Sequence, residues 1–422
     1  MMILKYGSRG SLVELLQLGL SRAGYGPLDI DGCLGSETAA ALGAFRRARG
    51  LPESAEVLPS VWAALEPYTS GRVTAYLRPG ETPLAAARRF GAEPEAVRTA
   101  NPGLDANLRR AASGITVPLP FEAVPKISWS TQANEHSIRA LSSRYPSLMP
   151  GTWGRSAMGK RLRSLTFGDG NRTLVFTAAH HANEWITAPA LLRYAGALAS
   201  RYHAGDGAAV EAHRQLRVYF LPLVDPDGVD LVTGAIGEGP WLARARQIAA
   251  DYPQVAWPDG WKANIRGTDL NLQYPAGWEQ AKGIKYAQGW RSPAPRDYVG
   301  RAPLCAPESF ALWSLTRRLR PVAVLALHTQ GEVIYWNYHG YAPPGAEELA
   351  GRLAGVSGYA LDDVPDESSN AGYKDWVIDE LDVPAFTIEC GLGENPLPIE
   401  QLEPISEAVA AICDECVASA GA

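Results

Sequence analysis

The chain of 422 residues lacks the marks of several protein classes. Its 5 cysteines, Cys33, Cys305, Cys390, Cys413 and Cys416, are odd in number and scattered, which argues against a disulfide framework and fits a reducing compartment. Cys413 and Cys416 make a single C-x-x-C with no second pair and no histidine nearby, so a coincidence on one helix face is expected. No apolar run approaches the roughly 20 residues that cross a bilayer, and no membrane partner is expected. The first apolar stretch is broken by Lys5, Arg9 and Glu14 and no small-residue cleavage site follows, so no signal peptide is legible. A cytoplasmic or sporulation-associated protein is therefore expected, with any wall association depending on an export route not encoded here. Excess positive charge is missing too: a formal net charge of -6 makes nucleic acid a poor partner. Low-complexity tracts are absent, and 46% hydrophobic with 20% charged residues is the composition of folded protein.

The length exceeds what one core usually supports, and the pattern divides the chain into three segments. Residues 1–68 hold two helical patterns, with Leu12, Val13, Leu16 and Leu20 before a Gly/Asp-rich turn and Ala40, Leu42 and Phe45 after it. Gly7, Arg9, Gly10, Gln17, Gly24, Asp31, Gly32, Gly35, Thr38, Phe45 and Leu51 follow the order of peptidoglycan-binding type 1 domains, and the segment resembles that family. Residues 73–120 read as strand, PGET turn, two helices ending at Asn101-Pro102, and a final strand. Tyr76, Gly80, Thr82, Leu84, Ala87, Asn101, Pro102, Ile115 and Pro118 give it a resemblance to LysM domains, although Ile115 follows Gly114 where those domains usually have Gln. A structural βααβ unit without glycan affinity is the rival reading.

Residues 130–422 alternate short apolar runs with amphipathic helices. TLVFTAAH, LRVYFLPLV, VAVLALH and AFTIEC read as buried strands, and APALLRYAGALASRY, ESFALWSLTRRLR and AEELAGRLAG as helices. An α/β domain with a central mixed sheet flanked by helices follows, and ligands of such sheets gather at strand carboxyl ends.

Those ends carry the chemistry-bearing residues. His181 and Glu184 form an H-x-x-E pair after the first run, and His328 closes the third. Two imidazoles and one carboxylate leave a fourth tetrahedral position open, as in catalytic zinc sites. Three of the 7 histidines, His180, His181 and His328, stand at these two strand ends. Glu389 ends another apolar run, where an unpaired charge is costly, and a general base toward an attacking water is its natural role.

The segment resembles the zinc carboxypeptidase family of the carboxypeptidase A type. The resemblance rests on ordered matches at AMGKRL (157–162), HANEWIT (181–187), DPDG (225–228), KANIRGTDLN (262–271), LHTQG (327–331), GYKDW (372–376) and FTIE (386–389). It implies one Zn2+ per chain on His181, Glu184 and His328, with Glu389 as catalytic base. It also implies Asp269 as the carboxylate orienting the first ligand histidine, Lys262 near the developing oxyanion in place of an arginine, and Asn271 in substrate binding.

Two departures narrow the substrate. The family arginine that clamps a terminal carboxylate is replaced by Leu272, and no tyrosine stands near Glu367, where an overhanging one belongs; Tyr373 is the nearest. With the two wall-type segments, the chain is most similar to γ-D-glutamyl-meso-diaminopimelate peptidases, so peptidoglycan and its stem peptides are the expected partners. A conventional metallocarboxypeptidase, reading its carboxylate with Arg266 or Lys374, is the alternative. An inactive wall-fragment binder is another, which retention of all ligands and Glu389 disfavours. The oligomeric state is not legible.

Overall fold

The computed structural model describes residues 4–69, 71–103, 114–119, 127–365 and 368–421. Glu367, the position of the missing tyrosine, lies outside them, as do the outer limits of the three segments at 1, 120 and 422.

In the leading segment the helices Ser11–Leu20, Ser36–Arg49 and Pro59–Thr69 close over Leu16, Phe45, Val61 and Leu65, which are inaccessible to solvent. The third helix is absent from the two-helix reading. It shows only Val61, Trp62 and Leu65 as buried positions and carries Pro67, a residue that usually ends helices. Gln17 explains the Gly/Asp turn: its amide donates to Asp31 and Thr38 and accepts the Gly32 N–H at 2.9 Å. A buried amide with all these partners fixes the turn.

The next unit pairs β1 (Arg72–Tyr76) antiparallel with β2 (Gly114–Pro118), and helices Pro83–Arg89 and Pro94–Ala100 lie between them in sequence. Thr82 caps the first helix by accepting the Ala85 N–H at 3.2 Å. Asn101 ties the second helix to β2, donating to Val97 O and Thr116 O, both at 2.7 Å.

The remaining strands are β3 (Leu148–Arg155), β4 (Arg161–Phe167), β5 (Arg172–Ala178), β6 (Leu216–Leu221), β7 (Ala323–His328), β8 (Val333–Tyr335), β9 (Ala360–Asp362) and β10 (Ala385–Glu389). They form one mixed sheet in the order β3-β4-β6-β5-β7-β10-β8-β9. Its centre, β6-β5-β7-β10, is parallel, and these are the four apolar runs of the sequence. Helices on both faces bury them, so they need no polar alternation. The outer strands escaped the sequence reading because β3 contains Pro150, Gly151 and Gly154, and β8 and β9 have three residues each. The carboxyl-terminal helix Leu402–Gly421 buries both Cys413 and Cys416 against the core, as the helix-face reading of that C-x-x-C requires.

A helix spanning Thr131–Arg144 joins the leading units to the sheet domain. Its first turn is fastened to the helix Pro226–Val232, with Asp230 accepting the Thr131 N–H at 2.7 Å and Pro226 O accepting the Thr131 hydroxyl at 2.9 Å. Among the described residues no helix is long and apolar enough to cross a membrane.

Candidate metal centre

Three neighbouring parallel strands aim their carboxyl ends at one place. His181 lies three residues beyond β5, His328 is the last residue of β7, and Glu389 is the last residue of β10, directly opposite His328 in the ladder. Strands about 4.8 Å apart put such residues within reach of a single ion. Glu184 joins them from the short turn Ala182–Glu184.

Donor atoms of His181, Glu184 and His328 lie within 4.8 Å of one another, and all three residues are buried. The two Nδ1 atoms are 3.2 Å apart, and each is 2.9 Å from a Glu184 oxygen. Two ring nitrogens facing each other across a carboxylate form a poor hydrogen-bonded cluster but a good cation cradle. Asp269 lies on the far side of the first imidazole: its carboxylate stands 3.3 Å from His181 Nε2, within reach of the ring nitrogen that faces away from the cluster. The residues therefore fit a zinc ion.

The electrostatics favour positive charge at the centre. Burial opposes ionisation of Glu184, yet His181, Lys262 and His328 hold its carboxyl well below the usual range. Asp269 is likewise lowered against burial, by His181 first and then by Lys262. Burial lowers His181, but the Glu184 and Asp269 carboxylates outweigh it and raise the group to about 9. His328 is lowered by burial, which suits a neutral ligating imidazole. Glu389 is pushed up to about 8, by burial and then by the Glu184 charge, against the pull of Lys262 and His181.

Beside the centre is a cavity of about 260 Å³, in whose wall His181, Lys262, Asp269, Asn271 and Glu389 all take part. Lys262 is placed by its backbone, donating its N–H to Pro295 O at 2.8 Å and accepting from Ala182, and its ammonium lies 3.1 Å from Glu184. Burial lowers Lys262, but the Glu184, Asp269 and Glu389 carboxylates together outweigh it and raise the group, so it stays a cation. Asn271 Oδ1 accepts the Tyr373 N–H at 2.9 Å, which fixes the side chain at the cavity wall.

Other positions raised by the sequence lie elsewhere or are engaged. His180 is no part of the donor set; it stacks on His328 at 5.4 Å and sits 3.3 Å from the Tyr274 hydroxyl. Arg266 stands over the Trp241 ring and is not in the cavity wall, so it cannot read a carboxylate there. Lys374 reaches the wall but is buried and bound to Asp375 and Asn337 O. Tyr373 is fully buried, its hydroxyl 2.7 Å from Thr316, and does not overhang the site. Leu272 contributes apolar wall packed with Trp278 and Val299. Arg296, Asp297 and Lys285, which the sequence reading passed over, line the same cavity. Their one sequence signal is the adjacent charge pair Arg296-Asp297 in a proline-flanked loop.

Comparison with known proteins finds relatives of both the leading segment and the sheet domain. The zinc carboxypeptidase family model matches residues 135–411, and a peptidoglycan binding domain model matches 9–65. The chain is 36% identical to gamma-D-glutamyl-L-diamino acid endopeptidase 1 of Lysinibacillus sphaericus, over 64% of this chain and 67% of that protein. In fold it is similar to the carboxypeptidase A of Helicoverpa armigera, with a TM-score of 0.54 and 17% identity over 92% of this chain and 88% of the other. It is also similar to bovine thrombin-activatable fibrinolysis inhibitor, with a TM-score of 0.53 and 19% identity over 69% and 96% of the two chains.

Proposed function

Since the chain belongs to the zinc carboxypeptidase family, and is by that membership a zinc metallopeptidase, we propose that it hydrolyses peptidoglycan stem peptides at the amide joining γ-D-Glu to meso-diaminopimelate. The observation that carries this reading is the likeness of the chain, over 64% of its length, to an endopeptidase named for γ-D-glutamyl and L-diamino acid residues. The apolar wall at Leu272 supports it, because an ordinary C-terminal carboxylate finds no clamp at that position.

His181, Glu184 and His328 would hold the zinc. When bound, zinc supplies Lewis acidity, polarising a carbonyl and making a water more acidic. The chain's own residues do the rest. Glu389, at the cavity wall beside His181, takes a proton from the attacking water and returns it to the leaving amine. Lys262 presents fixed positive charge where negative charge builds on the carbonyl oxygen. Asp269 keeps His181 in its ligating tautomer, and Asn271 offers its amide to the substrate from the wall.

The leading units serve, in this reading, as wall-recognition modules: residues 1–68 as a peptidoglycan-binding type 1 domain and 73–120 as a LysM-like domain. The family match over 9–65 supports the first and the βααβ element order the second. Their contribution is local concentration on an insoluble polymer.

The test is competition in one tube between L-Ala-γ-D-Glu-diaminopimelate and L-peptides ending in Phe or Lys. The γ-linked peptide should be consumed first. Faster trimming of the L-peptides would replace the proposal with the carboxypeptidase alternative.

A further inference from the structure

The cavity contains a cation that the proposed mechanism does not use. Arg296 lines it beside Asn271 and Leu272, with its side chain about half buried. The segment carrying it is sewn into the catalytic frame at both ends. Pro295 O accepts the N–H groups of Lys262 and Ala263 at 2.8 and 2.9 Å, and Tyr298 O accepts that of Asp269 at 2.9 Å. Between them the Asp297 N–H donates to the Asp269 carboxylate at 3.2 Å. Arg296 is thus fixed between the segment of Lys262 and the residue that orients a metal ligand.

Its side chain is also aimed. Asp297 has φ 64, in the left-handed region that only a few residue types other than glycine enter readily. That turn lets the Asp297 carboxylate accept from Arg296 Nε at 2.7 Å while its other oxygen lies 2.8 Å from Lys285 Nζ. Among the described residues no acceptor takes the terminal nitrogens of Arg296. A guanidinium held at Nε, open at its far edge, and lining a cavity beside a metal centre is shaped for a second carboxylate.

We propose that Arg296, held by the Asp297–Lys285 pair, is a specificity-determining residue that binds a free carboxylate of the substrate next to the scissile amide. This rests on the stem-peptide reading for the identity of the ligand. Such a peptide offers two carboxylates close to that amide, the α-carboxylate of the γ-linked D-Glu and the carboxylate on the L-centre of the diamino acid. Lysine would lose the fork, because it offers a point charge where Arg296 offers paired N–H groups.

The experiment uses the zinc-loaded full chain, as wild type, Arg296→Gln and Arg296→Lys, with three L-Ala-γ-D-Glu-diaminopimelate peptides. One is unmodified, one has the D-Glu α-carboxylate as carboxamide, and one has the L-centre carboxylate as carboxamide. Wild type should lose about 10- to 100-fold in kcat/KM on one carboxamide, which identifies the carboxylate bound. Arg296→Gln should lose a similar factor on the unmodified peptide and no longer distinguish it from that carboxamide, with Arg296→Lys in between. Zinc content and melting temperature should match wild type, because a purely structural role would change those and leave the selectivity intact. Retention of wild-type selectivity by Arg296→Gln overturns the assignment. If wild type fails to cleave the γ-amide, the proposed function falls separately. Calorimetric binding of the same three peptides then decides on Arg296: loss of a carboxylate preference in the variant sustains it, and equal binding ends it.

Discussion

Glu389 owes its place to a strand and its chemistry to its neighbours. β10 ends on it, the ladder sets it opposite His328, and burial with the Glu184 charge raises its proton affinity. Glu389→Gln should keep shape, fold and zinc while lowering kcat by about 100- to 10,000-fold, since an amide cannot accept the proton. Metal analysis and turnover on the same preparation check this, and near wild-type turnover would remove Glu389 from the mechanism. His181 and His328 stood out in the sequence because they close or follow apolar runs, and Glu184 through its spacing from His181 once His328 was set beside them; the structure brings the donor atoms of these three together. Arg296, Asp297 and Lys285 did not stand out, because a loop position acquires meaning only from what the fold sets across from it. Arg266 shows the converse. It stands beside the right motif in sequence, yet its side chain turns to Trp241 and away from the cavity.

The helix Thr131–Arg144 has the same character at the level of an element. It buries His136 between the leading units and the sheet domain, in a wall shared with Leu12, Leu15 and Trp62. Burial, aided by Arg22 and Arg139, lowers His136 from 6.5 to about 3. The unfolded chain binds a proton near pH 6.5, and the folded chain does not until about pH 3. This contribution to stability is therefore complete above that window and is lost as pH falls through it, by roughly 3–5 kcal/mol at the acid limit. His136→Leu should flatten the acid limb of melting temperature against pH, and parallel curves for the two proteins would contradict the assignment. The central strands were readable because burial on both faces writes them as apolar runs. Strands β8 and β9 were not, since three residues carry no period and their pairing depends on the neighbours supplied by the rest of the sheet.

In the whole molecule a peptidoglycan binding domain precedes the zinc carboxypeptidase domain, and the role proposed for the leading units is to concentrate the peptidase on a polymer. The first and last segments were legible from motifs and resemblance, and the two family matches fall within them. How the helix Thr131–Arg144 is fastened to the sheet domain was not legible, because Thr131 and Asp230 are 99 residues apart and neither belongs to a pattern. The central claim concerns one bond, and the direct measurement is mass spectrometry of L-Ala-γ-D-Glu-diaminopimelate digested by the zinc-loaded protein in heavy-oxygen water. Hydrolysis at the proposed amide should release L-Ala-D-Glu carrying one heavy oxygen on its γ-carboxyl, together with unlabelled diaminopimelate. Labelled free alanine together with unlabelled D-Glu-γ-diaminopimelate would place the reaction at the other amide and contradict the proposed bond.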